Sequence, residues 1–287
     1  MPERRSSATH SSKAIENLMS QRTQGKASPP IMDFTGSMTA ADWHHQHGYD
    51  IRFEWGAAGT VALAAEAPVV VVIDVLRFTT AVEAAVGRGA VVYPYRWHDP
   101  SAKAFARSRG AVLADDSDPS GPSLSPLSLC RLSPGDAVVL PSPNGSTCAA
   151  LAEEAQASVV ASCLRNASAV AAWLDNSPRP VAVIACGERW PDGSLRPCVE
   201  DLLGAGALIS HLHGSRSPEA ESAAAVWAAA VDHDVAAMLR ASGSGQELRA
   251  KGHADDVDYA GEVGVSTVVP ILVDGRFVGA HAVSDPT

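Results

Sequence analysis

Five β-branched residues run without a break from Val69–Ile73. A strand with one wet face would alternate, so this run predicts a strand covered on both faces. Asp74, Arg77, Thr79 and Thr80 follow at once, then a small-residue helical pattern that stops at Gly87 and Gly89. Thr79 or Thr80 would cap that helix, and the glycines would end it. The succession of apolar run, polar turn and helix returns along the chain. Residues 90–94, 111–113, 136–140, 158–161 and 181–185 read as further strands. Residues 57–67, 99–109, 148–155, 167–174 and 202–211 read as helices. Residues 50–56 alternate, as an edge or half-buried strand does. Residues 218–260 are helical, with breaks near Asp232 and at 242–245, and the apolar stretch 223–230 predicts a well-buried helix. Asp274-Gly275 is a hairpin signal between 266–273 and 276–279.

Strands alternating with helices predict a three-layer α/β/α sandwich around a mostly parallel, mixed sheet. The pattern begins late. Residues 1–45 read as a disordered leader and 46–287 as a single α/β domain. Within 43–47, Trp-His-His-Gln-His has a spacing that suits no single tetrahedral ion, and it reads as a solvated segment. Residues 115–133 form a long loop rich in Ser, Pro, Asp and Gly, a kind that is usually functional or mobile.

Composition narrows the function. The chain has 287 residues, is 46% hydrophobic but 5% aromatic, and carries a net charge of −10. That charge argues against nucleic acid as the main partner, since phosphate neutralisation needs a basic patch. The five cysteines are widely spaced with no C-x-x-C, which predicts free thiols in a reducing compartment. No apolar run of membrane-spanning length and no secretory h-region occur, so no membrane partner is expected and the cytoplasm is the expected location. Homo-oligomerisation stays open.

Candidate chemistry lies where strands run into helices, because open α/β sheets bind ligands at carboxyl ends of strands. Asp74 can hold a cation there. Arg77 can grip an anion or pair with Asp74. The turn Ser142, Asn144, Gly145, Ser146 and Thr147 leads into a helix and can cradle an anion, or can be an ordinary capped turn. Glu200 and Asp201 open a helix, where they can bind a divalent ion or offset the helix dipole. Glu188 reads as an acid–base group or as the partner of Arg189. Cys163 and Cys186 read as buried small side chains.

An ordered set of motifs carries a resemblance. It comprises Val-Ile-Asp74-Val-Leu-Arg77-x-Thr79-Thr80, Ser125-Pro126-Leu127, Leu140-x-x-x-Asn144-Gly145-Ser146 and Asn166-Ala-Ser-Ala-Val170. Glu200-Asp201-x-x-x-Ala205-Gly206-Ala207, Ser242-x-x-Gly245-x-x-Leu248 and Val269-Pro270 complete it. From about residue 50 to 280 the chain resembles the 2-phosphosulfolactate phosphatase family. The resemblance implies Mg²⁺-dependent hydrolysis of a small anionic phosphomonoester, 2-phosphosulfolactate, to sulfolactate and phosphate, a step toward coenzyme M. For that chemistry Asp74 reads as the first metal ligand, with Glu200 and Asp201 next, and Asp74, Arg77 and Glu200 read as the catalytic set. Arg165, Asn166 and Arg189 would join Arg77 and the Asn144-Gly145-Ser146-Thr147 turn on the substrate's anionic groups. The chain departs from the family pattern at 114–118 and between Gly187 and Pro197, beside these residues, which bears on the choice of substrate. Asp74 could also be a nucleophile forming an aspartyl phosphate. Phosphatases of the haloacid dehalogenase type carry a second aspartate two residues on. Leu76 stands there here, which favours a metal-activated water. A non-catalytic anion-binding or regulatory protein on the same scaffold is the alternative function.

Overall fold

The computed structural model describes residues 43–280, apart from His98 and Pro119. The leader expected at 1–45 falls outside these residues except for its last three. Those three, Trp43–His45, form a single 3₁₀ turn. The next residues are docked rather than solvated as the sequence suggests. Gln46 is buried, and its amide pairs with Phe53 in both directions, at 2.7 Å to the carbonyl and 3.0 Å from the N–H. It thus stands in for a missing strand neighbour.

The strands are β1 (Ile51–Trp55), β2 (Val69–Ile73), β3 (Val91–Tyr95), β4 (Val112–Leu113), β5 (Ala137–Pro141), β6 (Ser158–Ser162) and β7 (Val181–Ala185). A small separate ribbon joins β8 (Glu188–Arg189) to β9 (Leu195–Arg196), and β10 (Pro270–Val273) and β11 (Arg276–Gly279) form the expected hairpin. The helices are α1 (Gly56–Ala64), α2 (Phe78–Gly87), α3 (Ser101–Arg109), α4 (Pro126–Leu129), α5 (Gly145–Glu154) and α6 (Ala167–Leu174). They continue with α7 (Val199–His211), α8 (Pro218–Ala230), α9 (Val235–Ala241), α10 (Gly243–Ala250) and α11 (Ala254–Ala260).

Nine strands make one sheet in the order β1-β7-β2-β6-β10-β11-β3-β5-β4. All five residues of β2 are buried, as its unbroken apolar run requires. Val69, Val71 and Ile73 face one helical layer, with α6, α7 and α8. Val70 and Val72 face the other, with α1, α2 and α5. Period-two alternation between two covered faces is what makes this a three-layer α/β/α sandwich.

The hairpin lies in the middle of the sheet. It is antiparallel to β6 on one side and to β3 on the other, and its own strands are antiparallel. The block β3-β5-β4 therefore runs opposite to the block β1-β7-β2-β6, each being parallel within itself. Strand twist of roughly 20–25° per step turns the second block steeply against the first. The exit of β5 reaches the exit of β2 in spite of their opposed directions.

Several local expectations change. α2 begins at Phe78, with Arg77 rather than a threonine in the capping position. The Thr79 hydroxyl instead bonds both backbone groups of Asp74, at 3.0 and 2.8 Å. α5 starts at Gly145, three residues earlier than the pattern suggests, and Gly145 packs where a side chain could not. α7 starts at Val199, which puts Glu200 and Asp201 inside its first turn. α8 buries one face only, with Val226 exposed. Its alanine run conceals a helical stripe that alanine alone cannot mark.

Candidate active site

Asp74 follows β2 directly and is almost fully buried. Its Oδ1 accepts the Phe78 N–H at 3.1 Å, and its Oδ2 accepts the Gly145 N–H at 3.0 Å. Two helix N-termini thus aim one amide each at the same carboxylate. The Ser142 hydroxyl shares the Gly145 N–H at 3.2 Å. Asp201 reaches back to the same place from α7. Its Oδ1 accepts the Val75 N–H at 2.7 Å and its Oδ2 the Gly187 N–H at 2.8 Å. It clamps the turns leaving β2 and β7 together and spends both oxygens on backbone. Glu200, beside it, is buried to 1% exposure, and neither of its oxygens has a hydrogen-bond partner.

These carboxylates feel one another. Burial pushes Asp74 up to about 6, against the pull of its amide partners, and the charge of Glu200 adds to the rise. Burial, then the charges of Asp74 and Glu200, holds Asp201 well above the ordinary carboxylate range. Burial and the same two charges push Glu188 up to about 7. Among the described residues negative charge outweighs positive there. Among the described residues no three His, Cys, Asp or Glu side chains form a ready coordination set. The donors suit a hard cation that takes one or two carboxylates and completes its shell with water and substrate oxygens. A bare buried carboxylate at Glu200, next to Asp74, meets that requirement.

The β8–β9 ribbon closes the other side. Asn144 donates to Glu188 Oε2 at 3.0 Å, and Arg189 Nε donates to Asn144 Oδ1 at 3.1 Å. Glu188 is therefore tied to Asn144, and Arg189 is not its partner. Beside them opens a pocket of about 200 Å³ lined by Trp55, Gly56, Asn144, Thr147, Cys186, Glu188 and Arg189, among others.

The remaining candidates are held elsewhere or inward. The Ser146 hydroxyl is buried, accepting the Tyr95 N–H at 3.2 Å and donating to the Leu140 carbonyl at 3.3 Å. That of Thr147 donates to the Pro143 carbonyl at 2.7 Å. Both brace the turn, so its anion-binding capacity lies in the backbone and in Asn144. Asn166 spends its amide on Cys163 N–H, Ala161 O and Val268 O. Arg165 is gripped by Glu83 at 3.0 Å and by Glu262, and lies over the Tyr259 ring at 3.6 Å. Arg77 does not pair with Asp74. It bonds Asp256 at 2.9 Å and Asp116 at 3.1 Å. Asp256 also accepts from the Ser125 hydroxyl at 2.5 Å. Sequence reasoning missed Asp256 and Asp116 as site-bracing residues. Acids in a short helix and in a polar loop look like ordinary solvated positions until the fold brings them to an arginine.

A family model described as 2-phosphosulpholactate phosphatase matches residues 59–275. The chain belongs to the 2-phosphosulfolactate phosphatase family. A probable 2-phosphosulfolactate phosphatase of Pseudothermotoga lettingae is 27% identical over 217 residues, covering 73% of this chain and 92% of that one. A protein of the same description from Carboxydothermus hydrogenoformans is 32% identical, covering 75% and 91%. One from Deinococcus radiodurans is 32% identical over 52% of this chain and 61% of its own. This family member is an enzyme of the phosphoric monoester hydrolase class and acts on a small phosphate compound. In this phosphatase no helix among the described residues is long and apolar enough to cross a membrane.

Proposed function

We propose that the protein hydrolyses 2-phosphosulfolactate to sulfolactate and phosphate with the help of Mg²⁺. The observation that carries the cation is the buried, unpartnered carboxylate of Glu200 beside Asp74. Asp74 and Glu200 would hold the ion, while Asp201 fixes the two turns that frame it. Bound there, Mg²⁺ would neutralise phosphoryl oxygens and acidify a water, as phosphoryl transfer asks. The amides of Phe78 and Gly145 fix the orientation of the Asp74 carboxylate. Arg189 and Asn144 stand at the pocket for the anionic groups of the substrate. Arg77, flanked by Asp116 and Asp256, holds the Asp74 turn against the 115–133 loop and α11. Five free thiols suit a reducing cytoplasm, and the product would feed coenzyme M assembly.

The test is phosphate release from 2-phosphosulfolactate, phospholactate and p-nitrophenyl phosphate, with Mg²⁺ and with chelator, for the wild type and Asp74→Asn. Turnover that needs Mg²⁺ and Asp74, and is fastest on 2-phosphosulfolactate, supports the reading. No turnover on any of the three would leave the non-catalytic anion-binding role.

A further inference from the structure

Hydrolysis of an alkyl phosphate leaves an alkoxide, a far worse leaving group than a phenolate. Something must supply it with a proton as the P–O bond breaks. Arginine cannot give one up, and the carboxylates nearest the proposed cation are wanted ionised. A donor must therefore stand beside that centre, open to the pocket, with a carboxyl that keeps its proton near neutrality.

Glu188 meets these conditions by position. It lines the pocket with Asn144 and Arg189, while Asp74, Glu200 and Asp201 do not line it. Its Oε2 is held by Asn144 Nδ2 at 3.0 Å, and the Asn144 carbonyl is in turn held by Arg189 at 3.1 Å. The next residue after Asn144 is Gly145, whose N–H sits on Asp74. The chain Arg189–Asn144–Glu188 thus sets the carboxyl at a fixed offset from the Asp74 centre. Oε1 is left as the oxygen that no described residue bonds. Five charged groups act around it. Asp74 and Glu200, from the turn after β2 and from α7, repel a negative charge on it. Glu247, from α10, does so more weakly. Arg196 opposes them from the facing position on β9, and Arg189 is turned to Asn144. Burial is the largest influence on this carboxyl and favours its protonated form even where a cation offsets the charges of Asp74 and Glu200.

We propose that Glu188 is the general acid that protonates the bridging ester oxygen of an alkyl phosphomonoester. This rests on the phosphatase reading above and adds the leaving-group step to it. The bridging P–O bond breaks and its electron pair stays on the ester oxygen, which takes the Glu188 proton and departs as an alcohol. The oxygen of a water forms the new P–O bond. Of that water's two protons, one stays on the phosphate and the other passes to the Glu188 carboxylate, restoring its acid form. The sum is one phosphomonoester and one water giving one alcohol and one phosphate.

The experiment compares Glu188→Gln with the wild type on phospholactate and on p-nitrophenyl phosphate. Glutamine keeps an oxygen for Asn144 but has no acid proton. On the alkyl ester kcat should fall by about 10²–10⁴-fold, the usual share of a general acid. On p-nitrophenyl phosphate, whose phenolate leaves unaided, it should fall by less than about tenfold. The basic limb of the wild-type pH profile on the alkyl ester should vanish in the variant. Equal losses on both esters, or none on the alkyl ester, would overturn the assignment. Should the variant not fold, a leaving-group series on the wild type decides. A shallow dependence of kcat/KM on leaving-group pKa supports an acid, and a steep one overturns it. A wild type that hydrolyses neither ester removes the phosphatase reading, and this role falls with it.

Discussion

The Gly145 amide and the Asp74 Oδ2 are 3.0 Å apart, although 71 residues separate them in the chain. The contact depends on the glycine. A Cβ on Gly145 would fall 2.7 Å from that same oxygen and inside the Phe78 ring. Neither neighbour can move freely, since Phe78 is fully buried and Asp74 is bonded on both oxygens. Gly145→Ala should cost about 1–3 kcal/mol of stability, as overpacking does. It should also lower turnover by more than that loss of folded protein explains. Urea denaturation and phosphate release on the folded fraction check both halves.

Glu200 separates activity from stability. Its carboxyl group is buried with neither oxygen hydrogen-bonded, so Glu200→Gln should leave the cation-free protein as stable or make it more so. The same change should abolish the thermal stabilisation that Mg²⁺ gives the wild type. At a hundred times its dissociation constant a ligand stabilises by about 2.7 kcal/mol. Thermal melts with Mg²⁺ and with chelator measure the difference. Equal Mg²⁺ shifts in variant and wild type would take Glu200 out of the cation site.

The raised Asp74 group gives stability a pH dependence of unusual sign. An unfolded aspartate titrates near 3.9, whereas this one titrates at about 6 in the folded chain. Between those values the folded state holds a proton that the unfolded state has released. Stability from this group is therefore greatest below about pH 4, falls as the pH rises to about 6, and is flat above. The swing is on the order of 2–3 kcal/mol at about 1.36 kcal/mol per unit. Urea midpoints in chelator at pH 4.5 and 7.5 should converge in Asp74→Asn relative to the wild type. Mg²⁺ should also shrink the swing, because it favours the ionised form.

Asp256 and Asp116 touch the same guanidinium with very different exposure. Asp256 is buried and Asp116 has 43% of its side chain exposed. Removing Asp256 leaves Arg77 a buried charge short of its main partner, so Asp256→Ala should cost about 3–5 kcal/mol. Asp116→Ala should cost about 0–1 kcal/mol, the range of exposed pairs. Denaturant titration of the two variants tests the contrast.

Much of this fold is legible in hydrophobic period. β2 and β7 are unbroken apolar runs, and β6 is an apolar run between two buried serines, because both faces of the sheet are covered, and the structure has all three within a residue of the predicted spans. The central place of the β10–β11 hairpin is not legible. Asp274-Gly275 marks a turn but says nothing of which strands flank it, and each outer pairing rests on a single residue bridge. At the site, Asp74, Gly145, Glu200 and Asp201 could be picked out because each stands where a strand or turn meets a helix. What each carboxylate bonds could not. Asp201 and Glu200 are both acidic neighbours, yet one accepts two backbone amides and the other none. That depends on which side of α7 meets the turns after β2 and β7. The two-residue strands β8 and β9 are too short to show alternation, so the direction of Glu188 toward Asn144 stayed hidden.

The hairpin's position also has a consequence for biosynthesis. Residues 270–279 leave the ribosome after both halves of the sheet that they join. Until then β6 and β3 each keep a bare edge of backbone donors and acceptors, open to pairing with another chain. Hydrogen-bonded continuity between the two halves of the sheet thus waits until translation has passed the hairpin.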